Sequence, residues 1–215
     1  MTYTIVDSCQ LKNLPDLLEE HIGFKTDGSF VEAGASDGQH VSNTWTLAEL
    51  GWRGLMFEPL PEPFKRCKGN HAGHEVTILP WAISDQNGQA PFYTGGISST
   101  LRRDFIPVLN SIGASLDPTR WITVETITLD RALEAFGWDP GFELLVVDVE
   151  GGEEQVLNGF DLDRWHPKMM VWELTELHST KGLSRRAKKL TARITAHSYR
   201  KVYADMLNSV FVRSK

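Results

Sequence analysis

Carboxylates follow the ends of three successive predicted strands in the first half of the chain. Glu32 lies near the end of the first strand, with Gly34 just after it. Glu58 closes the second strand, and Asp85 follows the third. Ligands of open α/β sheets bind at the carboxyl ends of strands, and glycine lets the backbone approach a ligand closely. Because carboxylates accept hydrogen bonds from sugar hydroxyls and attract an ammonium group, the pattern predicts a ligand that carries an amine and a ribose.

The segment FVEAGASDG at residues 30–38 fits S-adenosylmethionine better than a nicotinamide dinucleotide, because it lacks the G-x-G-x-x-G turn around a pyrophosphate. Asp37 in this segment either contacts the ligand or caps the helix after it. Glu58 follows Gly34 at close to the roughly 20-residue spacing of a ribose-binding acid. Asp85 could accept the adenine amino group, and the backbone of Ala82 could contact the ring. A nicotinamide-dependent oxidoreductase and a catalytically silent cofactor-binding module remain alternative interpretations.

A second set of polar side chains follows two later strands. Asp148 and Glu150 close the apolar run that begins at residue 142, Glu173 ends the next strand, and His178 comes shortly after. We expect these four side chains to surround an acceptor hydroxyl, with Asp148 also beside the cofactor, because parallel strands share one carboxyl edge. Asp148 and Glu150 point the same way if the strand continues. The structural alternatives are that Glu150 caps the next helix and that Glu173 pairs with a cation.

No spacing in the sequence requires a metal. Hard oxygen ligands at two adjacent strand ends could nevertheless hold a divalent cation such as Mg²⁺. His71 and His74 stand in a glycine-flanked loop without further ligands, so we interpret them as surface residues. Cys9 and Cys67 have no paired metal or redox spacing, which predicts two free thiols in a reducing cytoplasm.

Strands and helices alternate along the chain, which predicts an α/β domain with a mostly parallel sheet. Strands are predicted at residues 29–33, 54–57, 76–79, 142–149, 168–174, 199–204 and 209–212. Helices are predicted at residues 11–22, 41–50, 61–69, 153–157 and 184–197. The last two strands are joined by a connection too short for a parallel crossover, so we expect an antiparallel hairpin.

The ordered motifs resemble the FkbM family of methyltransferases. The matching pieces are FVEAGASDG, WRGLMFEP, the AISD turn, ITLD, LLVVDVEGGEEQVLNGFD and KMMVWEL, over about residues 29–174. The resemblance implies a class I, Rossmann-like sheet of seven strands that is mostly parallel and has an antiparallel last strand. It also implies S-adenosylmethionine as methyl donor and O-methylation of a small molecule or saccharide. Ser98, Ser99 and Thr100 resemble a small polar segment at this point in the family.

The whole chain, residues 1–215, is predicted to form a single methyltransferase domain. Residues 1–28 form a helical extension in this prediction. Residues 94–121 are long, polar and interrupted by Gly and Pro, so they form either a lid over the substrate or a disordered loop. Within that segment, Arg102 and Arg103 could recognise an anionic acceptor, although a solvated loop is an equal alternative.

The charge of the chain disfavours a nucleic-acid partner, because a net charge of −6 repels phosphate groups over most of the surface. The basic run at residues 185–189 is interpreted as a solvated helix face. No segment approaches the roughly 18–20 apolar residues of a membrane span, and the first ten residues do not form a signal peptide. We therefore predict a cytoplasmic protein without a membrane partner, and the sequence leaves open whether it forms a homo-oligomer.

Overall fold

The computed structural model describes residues 9–174 and 181–214, and for residues 181–184 it describes the backbone alone. The strands are β1 Ser29–Ala33, β2 Arg53–Phe57, β3 Val76–Leu79, β4 Trp81–Ile83, β5 Gly88–Tyr93, β6 Trp121–Ile127, β7 Leu144–Val147, β8 Met169–Glu173, β9 Tyr199–Ala204 and β10 Asn208–Arg213. The α-helices are α1 Leu14–His21, α2 Trp45–Glu49, α3 Pro61–Asn70, α4 Ile106–Ser111, α5 Leu129–Ala135, α6 Glu153–Asn158, α7 Leu162–Trp165 and α8 Lys181–Thr195. None of these helices is long and apolar enough to cross a membrane.

Seven strands form the central sheet, in the order β3-β2-β1-β7-β8-β10-β9. The five strands from β3 to β8 run parallel, whereas β10 is antiparallel to both of its neighbours. The short turn before β10 is closed by Asp205, whose carboxylate accepts the backbone N–H groups of Leu207 and Asn208. The predicted sheet with its antiparallel last strand is confirmed. The strand order reverses between β1 and β7, which is where such sheets bind ligands.

Both faces of the central sheet are covered by helices, because its strands are apolar on both sides. On β1, Val31 and Ala33 pack with α5, α6, α7 and α8, whereas Phe30 packs with α1, α2 and α3. All four residues of β7 are buried. Burial on both faces holds the strand ends rigidly, so the loops that follow β1, β2, β7 and β8 share one fixed edge of the sheet.

A second sheet, in the order β4-β6-β5, has no counterpart among the predicted elements. Residues 81–83, which overlap the predicted AISD turn at residues 82–85, form β4 and pair in parallel with β6. The segment 94–121 contains two short 3₁₀ turns and α4, and a small apolar cluster anchors it. That cluster contains Tyr93, Ile106, Leu109 and Leu116. The segment is therefore ordered, and its role as a lid stays a prediction.

The second helix begins four residues later than predicted, and its N-terminus shows why. Val41 has a positive φ of 58°, which a continuous helix does not accept. The Ser42 hydroxyl then accepts the backbone N–H groups of Thr44 and Trp45, at 3.2 and 3.1 Å. This serine forms a local turn that replaces the first helical turn expected at residues 41–44.

Candidate functional site

A cavity of about 620 Å³, called the large cavity below, opens at the carboxyl ends of β1, β2 and β7. Its volume lies in the range of small-molecule sites. Seven of the predicted site residues line it, namely Gly34, Asp37, Glu58, Ala82, Asp148, Glu150 and Glu173. Glu32 and Asp85 do not line it, and His178 lies outside the described residues.

The backbone at Gly34 brings the ends of β1 and β7 together. Gly34 has a positive φ of 90°, and a Cβ atom added there would overlap the carbonyl oxygen of Asp148. The backbone N–H groups of Gly34 and Ala35 both donate to the carbonyl of Phe57, at 3.0 Å. Glycine at this position therefore lets three strand ends converge on one floor of the large cavity.

Glu58 is positioned by the backbone of two loops. Its carboxylate accepts the N–H groups of Ser36 at 2.9 Å and Leu60 at 2.8 Å. The residue is only 6% exposed, and this burial raises the pKa of Glu58 to about 7. A carboxylate has about four acceptor positions, so two remain for hydroxyl groups of a ligand.

An apolar wall stands beside Glu58. Ala82, Phe92, Leu60 and Leu101 pack together there and all line the large cavity. Such a wall suits a flat ring, as the prediction for Ala82 requires. The predicted partner of the adenine amino group is elsewhere: Asp85 is exposed, because β4 continues through residue 83 and carries it past the cavity.

Glu32 lies inside the protein, on the side of β1 that faces α2. It is 4% exposed and accepts a hydrogen bond from the Thr44 hydroxyl at 2.6 Å. Burial raises the pKa of Glu32 to about 8. Side chains of a strand alternate between faces, so Glu32 points away from the face of Val31 and Ala33 and lies behind the loop that borders the large cavity. Its predicted direct contact with a cofactor finds no support in this placement.

Asp37 lines the large cavity and also closes a turn. Its carboxylate accepts the backbone N–H groups of Gln39 and His40, at 3.1 and 2.8 Å. No helix starts at these residues, since α2 begins only at Trp45. Asp37 therefore caps a turn rather than the predicted helix, and one face of its carboxylate is open to a ligand.

Asp148, Glu150 and Glu173, called the carboxyl cluster below, meet at the bottom of the large cavity. One oxygen atom from each lies within 4.8 Å of one from each of the others. The strand does not continue to Glu150, because β7 ends at Val147 and Glu150 adopts a positive φ of 48°. A non-glycine residue in this region is strained, and such strain is often found at functional sites.

The pKa values of the three carboxyl groups in the cluster are raised. Burial and the neighbouring carboxylates raise the pKa of Glu150 to about 8, and they raise the pKa of Glu173 well above its ordinary value. Burial also raises the pKa of Asp148, which accepts hydrogen bonds from Glu173 and from Gln10. Glu173 is therefore the protonated member and donates to Asp148. The same three oxygen ligands could instead hold a divalent cation.

The two structural alternatives, in which Glu150 caps the next helix and Glu173 pairs with a cation, are not observed among the described residues. The carboxylate of Glu153, not of Glu150, accepts the N–H group of Gly151, at 2.9 Å. No cation pairs with Glu173 within the part of the chain that the structure describes.

A second cavity of about 410 Å³, called the small cavity below, adjoins the large one. Glu150 and Glu173 line both cavities, so the two spaces meet at the carboxyl cluster. The small cavity lies between the segment 94–121 and α8. Two connected spaces with carboxyl groups at their junction could hold two reactants in contact.

The small polar segment after residue 97 contributes to both cavities. Ser98 lines the small cavity and Ser99 lines the large one, whereas Thr100 is fully buried. Arg102 forms an ion pair with Asp104 and also donates to Gln155. Arg103 is exposed. Neither arginine lines the large or the small cavity, and a role in recognising an anionic acceptor stays a prediction.

Gln10 is a site residue that the sequence analysis does not single out. Its side chain lines the large cavity and donates to Asp148 at 3.1 Å. Asn43 orients Gln10 through a bond of 2.9 Å from its amide nitrogen, and its amide oxygen accepts the N–H group of Leu11. A single glutamine outside any motif carries no sequence signal, and only the fold brings it to Asp148.

Three expectations about other residues are changed or confirmed. His71 is buried rather than at the surface, and its Nε2 contacts the carbonyl of Gly38 at 2.9 Å. Its ring lies behind the large cavity. The half-buried His74 lies beside it. The basic run at residues 185–189 is not wholly solvated, because Arg186 pairs with buried Glu153 at 2.7 Å. The two cysteines are free thiols, as predicted.

Comparison with known proteins identifies a family and a fold. The methyltransferase FkbM domain profile matches residues 32–202, which is most of the chain. Among solved structures, precorrin-6y C5,15-methyltransferase from Geobacter metallireducens is 12% identical, with 99% of this chain and 94% of that chain covered and a TM-score of 0.50. A TehB-like SAM-dependent methyltransferase from Corynebacterium glutamicum is 10% identical, with 97% and 89% covered and a TM-score of 0.47. Among curated proteins, no relative matches.

Proposed function

The chain belongs to the FkbM methyltransferase family, and on that premise we propose that it uses S-adenosylmethionine to methylate a hydroxyl of a small molecule or saccharide. One observation carries the proposal: two cavities meet at a half-buried cluster of carboxyl groups. One space suits a cofactor and the other an acceptor. The small cavity, as a space for an acceptor, also argues against a catalytically silent cofactor-binding module. Membership of a methyltransferase family argues against a nicotinamide-dependent oxidoreductase.

The residues of the large cavity fit the parts of S-adenosylmethionine. The two free acceptor positions of Glu58 suit the ribose hydroxyls. The apolar wall with Ala82 and Phe92 suits the adenine ring. Asp37 and Asp148 supply negative charge for the methionine ammonium group. When bound, the cofactor supplies a methyl group that is already electrophilic, so the protein's task is to position the acceptor and remove its proton.

Glu150 is the residue best suited to accept the proton of the hydroxyl. It lines both cavities. Its pKa is raised to about 8, so once ionised, as it mostly is above that pH, its carboxylate is a stronger base than that of an ordinary glutamate. Glu173 donates to Asp148 and so holds that carboxylate in place.

The variant Glu150→Gln tests this assignment. We expect turnover to fall by roughly 10²–10⁴-fold, while the affinity for S-adenosylhomocysteine, measured by calorimetry, stays within about twofold. Glu154→Gln is the matched control, because Glu154 is nearby, pairs with Lys189 at 2.6 Å and lines neither cavity. Full activity of Glu150→Gln would remove the proposed base. Failure of the unmodified protein to bind S-adenosylhomocysteine would overturn the function itself.

A further inference from the structure

Most side chains that line the small cavity are apolar, although polar atoms make up nearly half of its exposed wall. The segment 94–121 and α8, together with the end of β8, contribute aromatic and aliphatic side chains: Phe105, Val108, Leu109, Ile112, Leu174 and Leu190. The hydroxyl groups of Ser98 and Ser115 are the uncharged polar side chains among the described lining residues. A free saccharide needs a polar partner for most of its hydroxyls, because a buried hydroxyl without one is unfavourable.

Exposed apolar side chains surround the same space. Ile97, Ile112 and Leu207 are 84%, 46% and 39% exposed, and each of them lines the small cavity. Scattered exposed aliphatic residues are common on protein surfaces, but apolar residues that converge on one opening mark a binding site. Ile97 and Ile112 belong to the segment 94–121, whereas Leu207 lies in the turn before β10, so their convergence is a property of the fold.

The charges of the described residues at the small cavity disfavour an anionic acceptor. Arg186 is the cation among the described lining residues, and it is already engaged by Glu153 at 2.7 Å and by the carbonyl of Gly151. Its guanidinium also lies 4.8 Å from the centre of the Phe105 ring. Glu150 and Glu173 at the junction would repel a phosphate or carboxylate on the acceptor.

We propose that the methyl acceptor is an uncharged molecule whose apolar ring or chain fills the small cavity and whose hydroxyl reaches Glu150. This inference rests on the proposed function and narrows its substrate class from small molecules and saccharides to apolar alcohols or phenols. The apolar walls hold the body of the acceptor, whereas the carboxyl cluster is the polar end of the space.

Binding to protein saturated with S-adenosylhomocysteine tests the substrate class. The probes are 1-naphthol, 4-tert-butylcyclohexanol, methyl glucoside and glucose 6-phosphate, each titrated by calorimetry. We expect at least one of the two apolar alcohols to bind at least tenfold more tightly than either sugar. Tighter binding of methyl glucoside or glucose 6-phosphate, or no binding of both apolar alcohols, would overturn the proposal.

A pair of lysine substitutions at the C-terminal end of α4 locates the binding. Ile112→Lys places a cation in the wall of the small cavity and should weaken the apolar alcohol at least tenfold. Ser111→Lys is the control, because Ser111 is exposed and does not line the cavity. Equal effects of the two variants would contradict the site. Affinity for S-adenosylhomocysteine is measured separately on both variants and on the unmodified protein, so loss of the proposed function is distinguishable from loss of the acceptor class.

Discussion

Replacement of Glu58 by glutamine separates cofactor binding from folding. The substitution keeps the size of the side chain but replaces one acceptor oxygen by a donor amide. In the unmodified protein, the Glu58 carboxylate accepts the backbone N–H groups of Ser36 and Leu60, one on each oxygen. The amide can accept only one of them well, and it turns its NH₂ group towards the other or towards the ligand.

The expected loss follows from the number of hydrogen bonds. Two acceptor positions of Glu58 remain for ribose hydroxyls, and a hydrogen bond to a charged group contributes roughly 1.5–3 kcal/mol. Loss of both therefore weakens binding by about 3 kcal/mol or more, which is roughly a hundredfold or more in Kd. The stability of the free protein should change less, because the loss of one backbone hydrogen bond to the carboxylate, roughly 1.5–3 kcal/mol, opposes a gain. Ionised Glu58, with its pKa raised from 4.5 to about 7, costs roughly 3 kcal/mol of stability at pH 8, and the neutral amide removes that cost.

The assay is calorimetric titration of S-adenosylhomocysteine at pH 8, with a thermal melt of each unliganded protein. Glu62→Gln is the matched control, since Glu62 is exposed in the first turn of α3 and lies outside the large cavity. The reasoning is refuted if Glu58→Gln melts normally and binds within about twofold of the unmodified protein. Glu58 would then hold the two loops together without contacting the cofactor.

Three further predictions concern the buried polar groups. Burial raises the pKa of Glu32 to about 8, so the stability that Glu32 contributes is present at low pH and is lost as the pH rises towards 8. Urea denaturation of the unmodified protein and of Glu32→Gln tests this. Relative to the variant, the free energy of unfolding of the unmodified protein should fall by up to about 1.4 kcal/mol per pH unit between pH 5.5 and 7.5. Glu173→Gln keeps a donor for Asp148 and should change stability by less than about 1 kcal/mol, whereas Glu173→Leu leaves Asp148 without it and should cost about 2 kcal/mol in the same assay. Gln10→Ala removes a second donor to Asp148 and should lower turnover about tenfold, with stability reduced by about 1–3 kcal/mol. The assignment of Glu32 is contradicted if the free energy of unfolding depends on pH equally in Glu32→Gln and the unmodified protein. The assignment of Glu173 is contradicted if its two variants are equally stable, and that of Gln10 if turnover is unchanged.

Three of the seven predicted residues that line the large cavity have positions that follow from strand order alone. Glu58, Asp148 and Glu173 end or directly follow parallel strands, and parallel strands bring their carboxyl ends to one edge of the sheet. Alternating strands and helices are a local pattern, so the edge can be predicted without knowledge of any contact. These three residues accordingly line the large cavity.

The remaining placements depend on contacts between distant parts of the chain. Asp85 is carried away from the large cavity because residues 81–83 pair with β6, some forty residues later in the sequence. Glu32 lies on the opposite face of its strand, against Thr44. Gln10 reaches Asp148 only through its bond with Asn43. Protonation of Glu173 likewise requires burial beside two other acids, and no local pattern predicts burial of this kind.

Gly34 illustrates how one residue supports both the predicted and the unpredicted parts of the site. An added Cβ atom would lie 2.8 Å from the carbonyl carbon of Asp148 and closer still to its oxygen, so Gly34→Ala must push the ends of β1 and β7 apart. The positive φ alone costs about 1–2 kcal/mol, and Gly73→Ala measures that cost, because Gly73 has a φ of 103° with no atom within 4 Å. In urea denaturation we expect Gly34→Ala to be less stable than Gly73→Ala by about 2 kcal/mol or more, with affinity for S-adenosylhomocysteine lost in Gly34→Ala only. If both variants lose the same stability, the close approach contributes nothing, and the glycine serves only the turn. If the difference is found, the glycine of this motif holds Asp148 in the carboxyl cluster as well as opening the backbone to the cofactor.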